Sequence, residues 1–314
     1  MKIINAIEEF EIKKRVVITI GTFDGVHIGH KKIIEKLVTS AKELDSESLI
    51  LTFFPHPRMI LETNFDMKLL NTIDERKTLL SKLNLDHLII HPFDQKFSEL
   101  SAEKFVENIL VNQFNIKKII IGHDHRFGKN RTATIVDLIR FGKKYNFEVE
   151  QISVQEINNI SISSTKIRKA LTEGNIRLAN KYLGYDYIIR GIVVKGKQLG
   201  RSLHFPTANI KVLENYKLIP KNGVYIIKSS IYGINKFGMM NIGIKPTIGS
   251  YEQTIEVHFF DLHLNLYDQI LDISILEKMR EEQKFNSISL LKEQLKKDKQ
   301  IALQYIQNNF DIKK

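Results

Sequence analysis

The stretch RVVITIGTFDGVHIGHKKIIEKL, residues 15–37, runs from β-branched residues through a glycine-rich turn into a lysine-rich amphipathic segment. RVVITI (15–20) has the composition of a buried strand, and the apolar spacing of HKKIIEKLVTSAKEL (30–44) predicts a helix. A strand feeding a helix through glycines is where a doubly wound α/β sheet binds anions. The helix N-terminus there offers free N–H groups and the positive end of its dipole. Gly21 lets the backbone turn tightly, and Gly25 and Gly29 leave room for a ligand to approach the main chain. His27 and His30, three residues apart, share one face of the first helical turn. Their N–H groups suit charge growing on a phosphoryl group in transfer. Two plainer readings stay open at this level: a surface or capping pair, or a zinc site completed by His56 or His91.

The alternation continues through the first half. SLILTFF (48–54), HLIIHPF (87–93), IKKIIIG (116–122) and FEVEQIS (147–153) read as strands. DERKTLLSKL (74–83), SAEKFVENILVNQF (101–114, with Ser101 as N-cap) and TIVDLIRFGKKY (134–145) read as helices. Strands alternating with helices of this length predict a parallel sheet covered on both faces. From about residue 187 glycine becomes frequent and short alternating segments replace the helices: YIIRGIVVKG, PTANIKV, GVYIIKSSIYG, FGMMNIG, TIEVHFFDL and LDISILEKM. These predict a small antiparallel barrel or sandwich, closed by a terminal helix at 287–307. KYLGYDYI (181–188) marks the expected boundary, giving domains 1–184 and 185–314.

A length of 314 residues exceeds what one core usually supports, in keeping with two domains. The absence of cysteine excludes disulfides, thiolate zinc sites and cysteine nucleophiles. The start, MKIINAIEEFEIKKR, lacks a signal-peptide pattern, and no apolar run approaches the roughly 20 residues that span a bilayer. A soluble, cytoplasmic protein is expected. The formal charge of +11 points to a polyanionic partner, either nucleic acid or a phosphorylated small molecule.

Two further stretches strengthen the phosphate reading. GHDHRFG (122–128) follows an apolar strand, so its polar groups emerge at the ligand-binding end of the sheet. ISSTKIRKAL (162–171) sets Ser163, Ser164 and Thr165 before a helix whose first turn carries Lys166 and Arg168. The hydroxyls can cap the helix or donate to phosphate, and Arg168 offers a bidentate fork. Together, in this order, GTFDGVHIGH, GHDHRFG and ISSTKIR resemble the adenylyltransferase module of the prokaryotic bifunctional riboflavin kinase/FMN adenylyltransferases (FAD synthetases). The resemblance implies a Rossmann-like nucleotidyltransferase domain in which His27, His30 and Arg168 act on the ATP phosphates. It implies ATP-site roles for Gly21, Phe23, Asp24, Gly25, Gly29, Ser164 and Thr165, and places Asp124 and Phe127 beside the flavin. Two positions depart from the pattern: His125 stands where an aromatic, usually Phe, is common, and Phe54 precedes Pro55 where an acidic residue is frequent.

The second half carries its own chemistry. In GKQLGRSLHFPTANI (196–210), Thr207 and Asn209 share one strand face and offer hard oxygen ligands suited to Mg²⁺ arriving with a nucleotide. No Walker A pattern occurs, so the glycine-rich turn around Gly196 and Gly200 is the candidate phosphate cradle. In TIEVHFFD (254–261), Glu256 lies with Thr254 and His258 opposite an apolar face, placed to take a proton from a hydroxyl nucleophile. With PKNGVY (220–225), NIGIKPTIG (241–249) and MREEQKFNS (279–287), these resemble the riboflavin kinase module of the same family. The resemblance implies a β-barrel in which Gly196, Gly200 and Arg201 hold phosphate. Thr207 and Asn209 would bind Mg-ATP, Glu256 would be the base, and Arg280 and Phe285 would lie near the flavin. His204 and Asp268 replace customary glycines.

The combined expectation is an enzyme using riboflavin, FMN and ATP with Mg²⁺, producing FMN and FAD, with no membrane or nucleic-acid partner. Two alternatives remain at this level: a nucleotidyltransferase for another phosphorylated substrate with a non-catalytic barrel, or a basic nucleic-acid-binding protein. The latter predicts aromatic and basic residues interleaved on the barrel strands.

Overall fold

Six apolar runs of the first half form parallel strands: β1 (Lys2–Ile4), β2 (Val16–Ile20), β3 (Glu47–Phe53), β4 (His87–His91), β5 (Ile116–Gly122) and β6 (Glu148–Ile152). They lie in the order β1-β4-β3-β2-β5-β6, all paired parallel. Strand order therefore reverses between β2 and β5. The C-terminal end of β2, where Gly21 stands, is the crevice in which such sheets bind ligands. The edge strand β1 was not expected from the sequence; its three residues are too few to show a period.

Helix α1 (Ile28–Glu43) buries Ile34, Leu37 and Ala41 at near-helical spacing. Short α2 (Pro57–Leu61) and α3 (Ile73–Leu80) follow, the latter opened by a reciprocal Thr72–Glu75 capping box. Next come α4 (Gln95–Ser98), α5 (Ala102–Lys104) and α6 (Ile135–Tyr145). The segment expected as one α-helix over 101–114 departs from that reading: Ser101 does cap α5, but Phe105–Gln113 winds as a π-helix. Phe105, Val106, Ile109, Leu110 and Phe114 are all buried. An α-helix would spread them over about half its circumference, whereas i→i+5 winding gathers them on the core side.

The computed structural model describes residues 1–63, 66–122, 125–152, 162–196, 200, 203–247 and 250–310. These fall into two compact units, Met1–Ser163 and Ser164–Lys314. The second unit begins with α7 (Ser164–Glu173) and α8 (Ile176–Leu183), the latter packed against two strands of the barrel that follows. That barrel comprises β7 (Tyr187–Val194), β8 (Ala208–Lys211), β9 (Gly223–Ile231), β10 (Ile234–Thr247), β11 (Ser250–Phe259) and β12 (Ile270–Arg280), closed in the order β10-β11-β8-β7-β12-β9. Helix α9 (Ile288–Asn309) covers one side, where Ala302 and Ile306 pack with Phe205, Met239, Phe260 and Leu276.

Residues of β7 alternate between buried and half-buried, as a barrel wall requires. Gly191 is one of the inward positions. A Cβ there would stand 2.5 Å from Ile210 Cγ2 and 2.8 Å from the Lys211 carbonyl oxygen, so β7 and β8 meet only across a hydrogen atom. Gly191→Ala should destabilise the barrel by roughly 1–3 kcal/mol through overpacking. Among ten tyrosines only Tyr145 lies outside Ser164–Lys314, and there is no tryptophan. Urea unfolding followed by tyrosine fluorescence therefore reports this unit, and an unchanged midpoint would refute the packing argument.

Candidate functional sites

Between β2 and α1 the chain makes a tight, strained turn. Phe23 (φ 48°), Val26 (φ 36°) and Gly25 (φ 89°) all lie at positive φ; for a β-branched valine this is unusual and costs energy that the surroundings must repay. The surroundings are specific. The Asp24 carboxylate, 1 % exposed, accepts from Leu70 N at 3.0 and 3.1 Å and from Asn71 N at 3.2 Å. Arg76, equally buried, brings Nη2 to 3.9 Å from Asp24 Oδ1. A carboxylate taken out of water is tolerable only with such partners. Asp24, expected from the resemblance among the ATP-site residues, is thus engaged with α3 and the segment before it.

His27 closes the turn as the N-cap of α1: its Nδ1 accepts from His30 N at 3.3 Å. The capping reading is therefore correct for Nδ1, and it leaves the ring proton on Nε2. The two imidazoles stack with centroids 3.7 Å apart, and Phe23 packs on His30 at 5.1 Å. Burial pushes the His27 pKa down to about 4, against the opposing pull of Asp24. Burial, then His27 and the Arg76 guanidinium, hold His30 well below its ordinary value. Both rings are neutral at pH 7 and act as hydrogen-bonding groups. Among the described residues, His30 Nδ1 has no hydrogen-bond partner.

His30, Gly21 and Phe23 line a cavity of about 510 Å³ whose other walls include Phe53, Phe93, Phe97 and Phe127, with Arg58, Arg126 and Lys129 also lining it. The aromatic side suits a planar ring system, and the basic residues suit an anion. Phe127 is fixed by a bridge to Ala133, and the His125 ring lies nearly parallel to it at 6.1 Å, so the imidazole at this departing position still serves as a flat wall. Gly25, Gly29 and His27 do not reach the cavity wall. Asp124 lies outside the described residues. Ser164 and Arg168 are half-buried and Thr165 is exposed on the first turns of α7, in the other compact unit. Among the described residues no group of three or more His, Cys, Asp or Glu is arranged to hold a metal.

In the barrel, Glu256 of β11 pairs across the ladder with Asn209 of β8, and Thr207 Oγ1 donates to Glu256 Oε2 at 3.4 Å. The three expected residues thus converge. Gly196 comes so close that any Cβ would collide with the Asn209 amide, and a Cβ on Gly200 would collide with the Phe205 carbonyl. Arg201 lies outside the described residues. His204 (φ 63°) and Asp268 (φ 64°) both adopt the left-handed conformation, which explains why glycine is customary there and why polar residues can substitute. Arg280, expected near a flavin, spends its guanidinium on Asp298 (Nη2 to Oδ2 2.7 Å, Nε to both oxygens 3.1 Å) and on the Glu281 carbonyl (3.0 Å), with Phe285 6.0 Å away. It ties β12 to α9. Asp298 is 1 % exposed and went unnoticed in the sequence. Its place four residues before Ala302 and eight before Ile306, on the buried stripe, was the available signal.

A parallel sheet with a histidine pair at its switch point, and a closed barrel carrying a Thr–Asn–Glu cluster, are the arrangements that the two sequence resemblances imply. The comparisons with known proteins agree. The FAD synthetase family matches residues 9–166 and the riboflavin kinase family residues 183–306. A bifunctional riboflavin kinase/FMN adenylyltransferase of Buchnera aphidicola (from Schizaphis graminum) is 41% identical over 97% of this chain and 99% of its own. The Escherichia coli K12 protein of the same description is 32% identical over 92% of both chains. A solved structure from Streptococcus pneumoniae, described as a macrolide-efflux protein, superposes with a TM-score of 0.88 at 28% identity over 99% of both chains. That description is of the Streptococcus protein; among the described residues here no helix is long and apolar enough to cross a membrane. The chain belongs to the bifunctional riboflavin kinase/FMN adenylyltransferase family.

The buried histidines make stability pH-dependent in a defined direction. The folded His27 pKa of about 4 lies below its ordinary 6.5, so the unfolded chain takes up the proton first as pH falls. Stability is full above pH 6.5 and declines between about 6.5 and 4, by on the order of 3 kcal/mol from this residue. His27→Gln should flatten that slope when urea midpoints are read by circular dichroism across the window. Parallel slopes for wild type and variant would contradict the assignment.

Proposed function

We propose that the chain carries out two consecutive ATP-dependent steps: the barrel unit phosphorylates riboflavin to FMN, and the α/β unit joins FMN to the AMP moiety of ATP, releasing pyrophosphate. The observation that carries the second assignment is the neutral, stacked His27–His30 pair at the start of α1, with His30 opening into an aromatic-walled cavity with basic residues in its lining. In that reaction a phosphate oxygen of FMN attacks the α-phosphorus of ATP and the α–β bridging bond breaks. His30, with the α1 N-terminus behind it, donates to oxygens gaining charge. His27 holds the turn through Nδ1 and keeps Nε2–H as a donor.

In the barrel, the riboflavin 5′-hydroxyl attacks the γ-phosphorus and the β–γ bridging bond breaks. The hydroxyl proton passes to Glu256, whose Oε2 is held by Thr207. The oxygen donors Thr207 Oγ1 and Asn209 Oδ1 fit Mg²⁺, which takes such ligands alongside nucleotide phosphates and water. When bound, Mg²⁺ would neutralise phosphate charge. Phosphate-binding roles for Gly196, Gly200 and Arg201 rest on the resemblance; at Gly196 and Gly200 the missing side chain lets the loop pack against Asn209 and the Phe205 carbonyl. Roles for Ser164, Thr165 and Arg168 at the ATP phosphates rest on the resemblance of ISSTKIR. The functional division is placed at 184/185, next to the start of the riboflavin kinase match at residue 183. The absence of cysteine suits the cytoplasm as the compartment.

His30→Asn should lower FMN-to-FAD conversion by roughly 10²- to 10³-fold and leave riboflavin phosphorylation intact. Glu256→Gln should do the opposite, by roughly 10²- to 10⁴-fold. Chromatographic separation of the three flavins after incubation with Mg-ATP reads both. Equal loss of both activities in each variant would refute two separate centres.

A further inference from the structure

The β8–β11 ladder is short. Glu256 pairs with Asn209 and Val257 with Ala208; continuing the register sets Thr207 opposite His258. There the ladder ends, because Pro206 has no N–H to continue it. The carbonyl of Pro206 is taken up instead by a side chain: His258 Nδ1 lies 2.8 Å from it. A carbonyl only accepts, so Nδ1 carries the proton. Burial, as the largest influence, lowers the His258 pKa. Lys299 adds to this, while the Pro206 bond and Asp261 oppose it. The ring is neutral at pH 7, and its single proton is the one on Nδ1.

The imidazole is itself held. Phe205 meets it edge-on at 5.1 Å and Phe260 at 5.8 Å, and both phenylalanines belong to the cluster beneath α9. Phe205 N and Leu203 N both donate to the Gly200 carbonyl. One path of contacts therefore leads from a rigid strand, through His258, to the Phe205–Pro206–Thr207 segment and on to the turn at Gly200. The imidazole bond is the tie that joins the Pro206 carbonyl itself, just before Thr207, to β11.

We infer that His258 is a positioning residue of the kinase centre: its Nδ1–H fixes the Pro206 carbonyl and so sets Thr207 against Glu256 and the Gly200 turn against the nucleotide. This rests on the kinase reading proposed above. His258 does not contact the reacting groups in this scheme; it acts on ATP binding through the backbone.

The test uses three variants of the full chain. Asparagine places its amide nitrogen where His258 Nδ1 stands, glutamine places it near Nε2, and leucine has no donor. His258→Gln and His258→Leu should raise KM for Mg-ATP in riboflavin phosphorylation roughly 3- to 10-fold, the size of one lost hydrogen bond. His258→Asn should stay within about twofold of wild type, on the same estimate. KM for riboflavin and the rate of FMN adenylylation should not change. Asparagine and glutamine variants with equal losses, or wild-type KM values in all three, would overturn the inference. If the leucine variant fails to fold, judged by tyrosine fluorescence, the contrast between asparagine and glutamine decides. A wild-type chain that makes no FMN from riboflavin would remove the kinase reading, and the positioning role with it.

Discussion

Asp24 is a carboxylate without water, and the α/β site depends on it. Its oxygens are committed to the amides of Leu70 and Asn71 with Arg76 alongside, which docks the β2–α1 turn onto the segment leading into α3. That docking sustains positive φ at Phe23 and Val26, conformations the turn would not hold by itself. The turn in turn delivers His27 as a cap and His30 one helical step further, at the point where strand order reverses. The same burial that fixes the rings removes their charge, so the arrangement yields preorganised neutral donors. Arg76 serves both purposes, facing the Asp24 carboxylate and discouraging protonation of His30.

The barrel solves a related problem by different means. A parallel sheet offers a ligand its strand ends; this barrel gathers its polar cluster where a ladder is interrupted. Here the interruption is at Pro206, and the backbone at Gly196 and at Gly200 approaches its neighbours too closely for a side chain. Thr207, Asn209 and Glu256 meet there because antiparallel pairing sets Asn209 opposite Glu256. The Arg280–Asp298 pair fastens α9 over the same unit. Replacing either partner would strand a buried charge, which typically costs several kcal/mol.

What the sequence made legible was mostly local. The junction at Gly21 and the strand–helix alternation announced the doubly wound sheet, and the strict alternation of TIEVHFFD placed Glu256 on the correct face. His204 and Asp268 stood out as replacements of glycine, and the structure supplies the reason in their positive φ. What stayed hidden was long-range. Asp24 was expected among the ATP-site residues from the resemblance, and nothing in GTFDGVHIGH reveals that its hydrogen-bond partners lie some 46 residues on. DERKTLLSKL read as a helix, but nothing in it singled out Arg76, which is 1 % exposed and faces Asp24 across the fold. The π-helical winding of Phe105–Gln113 answers to a core that no window of sequence displays. His258 was placed on the polar face with Glu256, but its partner depended on where the β8 ladder stops.

The central claim is that two units of one chain direct their flavin substrates onto two different phosphorus atoms of ATP in succession. Isotope tracing tests it most directly. Riboflavin is incubated with wild-type chain and Mg-ATP carrying ³²P at either the γ or the α position, and the flavins are separated. The account predicts that γ label enters FMN and is retained in FAD, whereas α label appears in FAD alone. Label from the α position in FMN, or FAD that carries no α label, would contradict it.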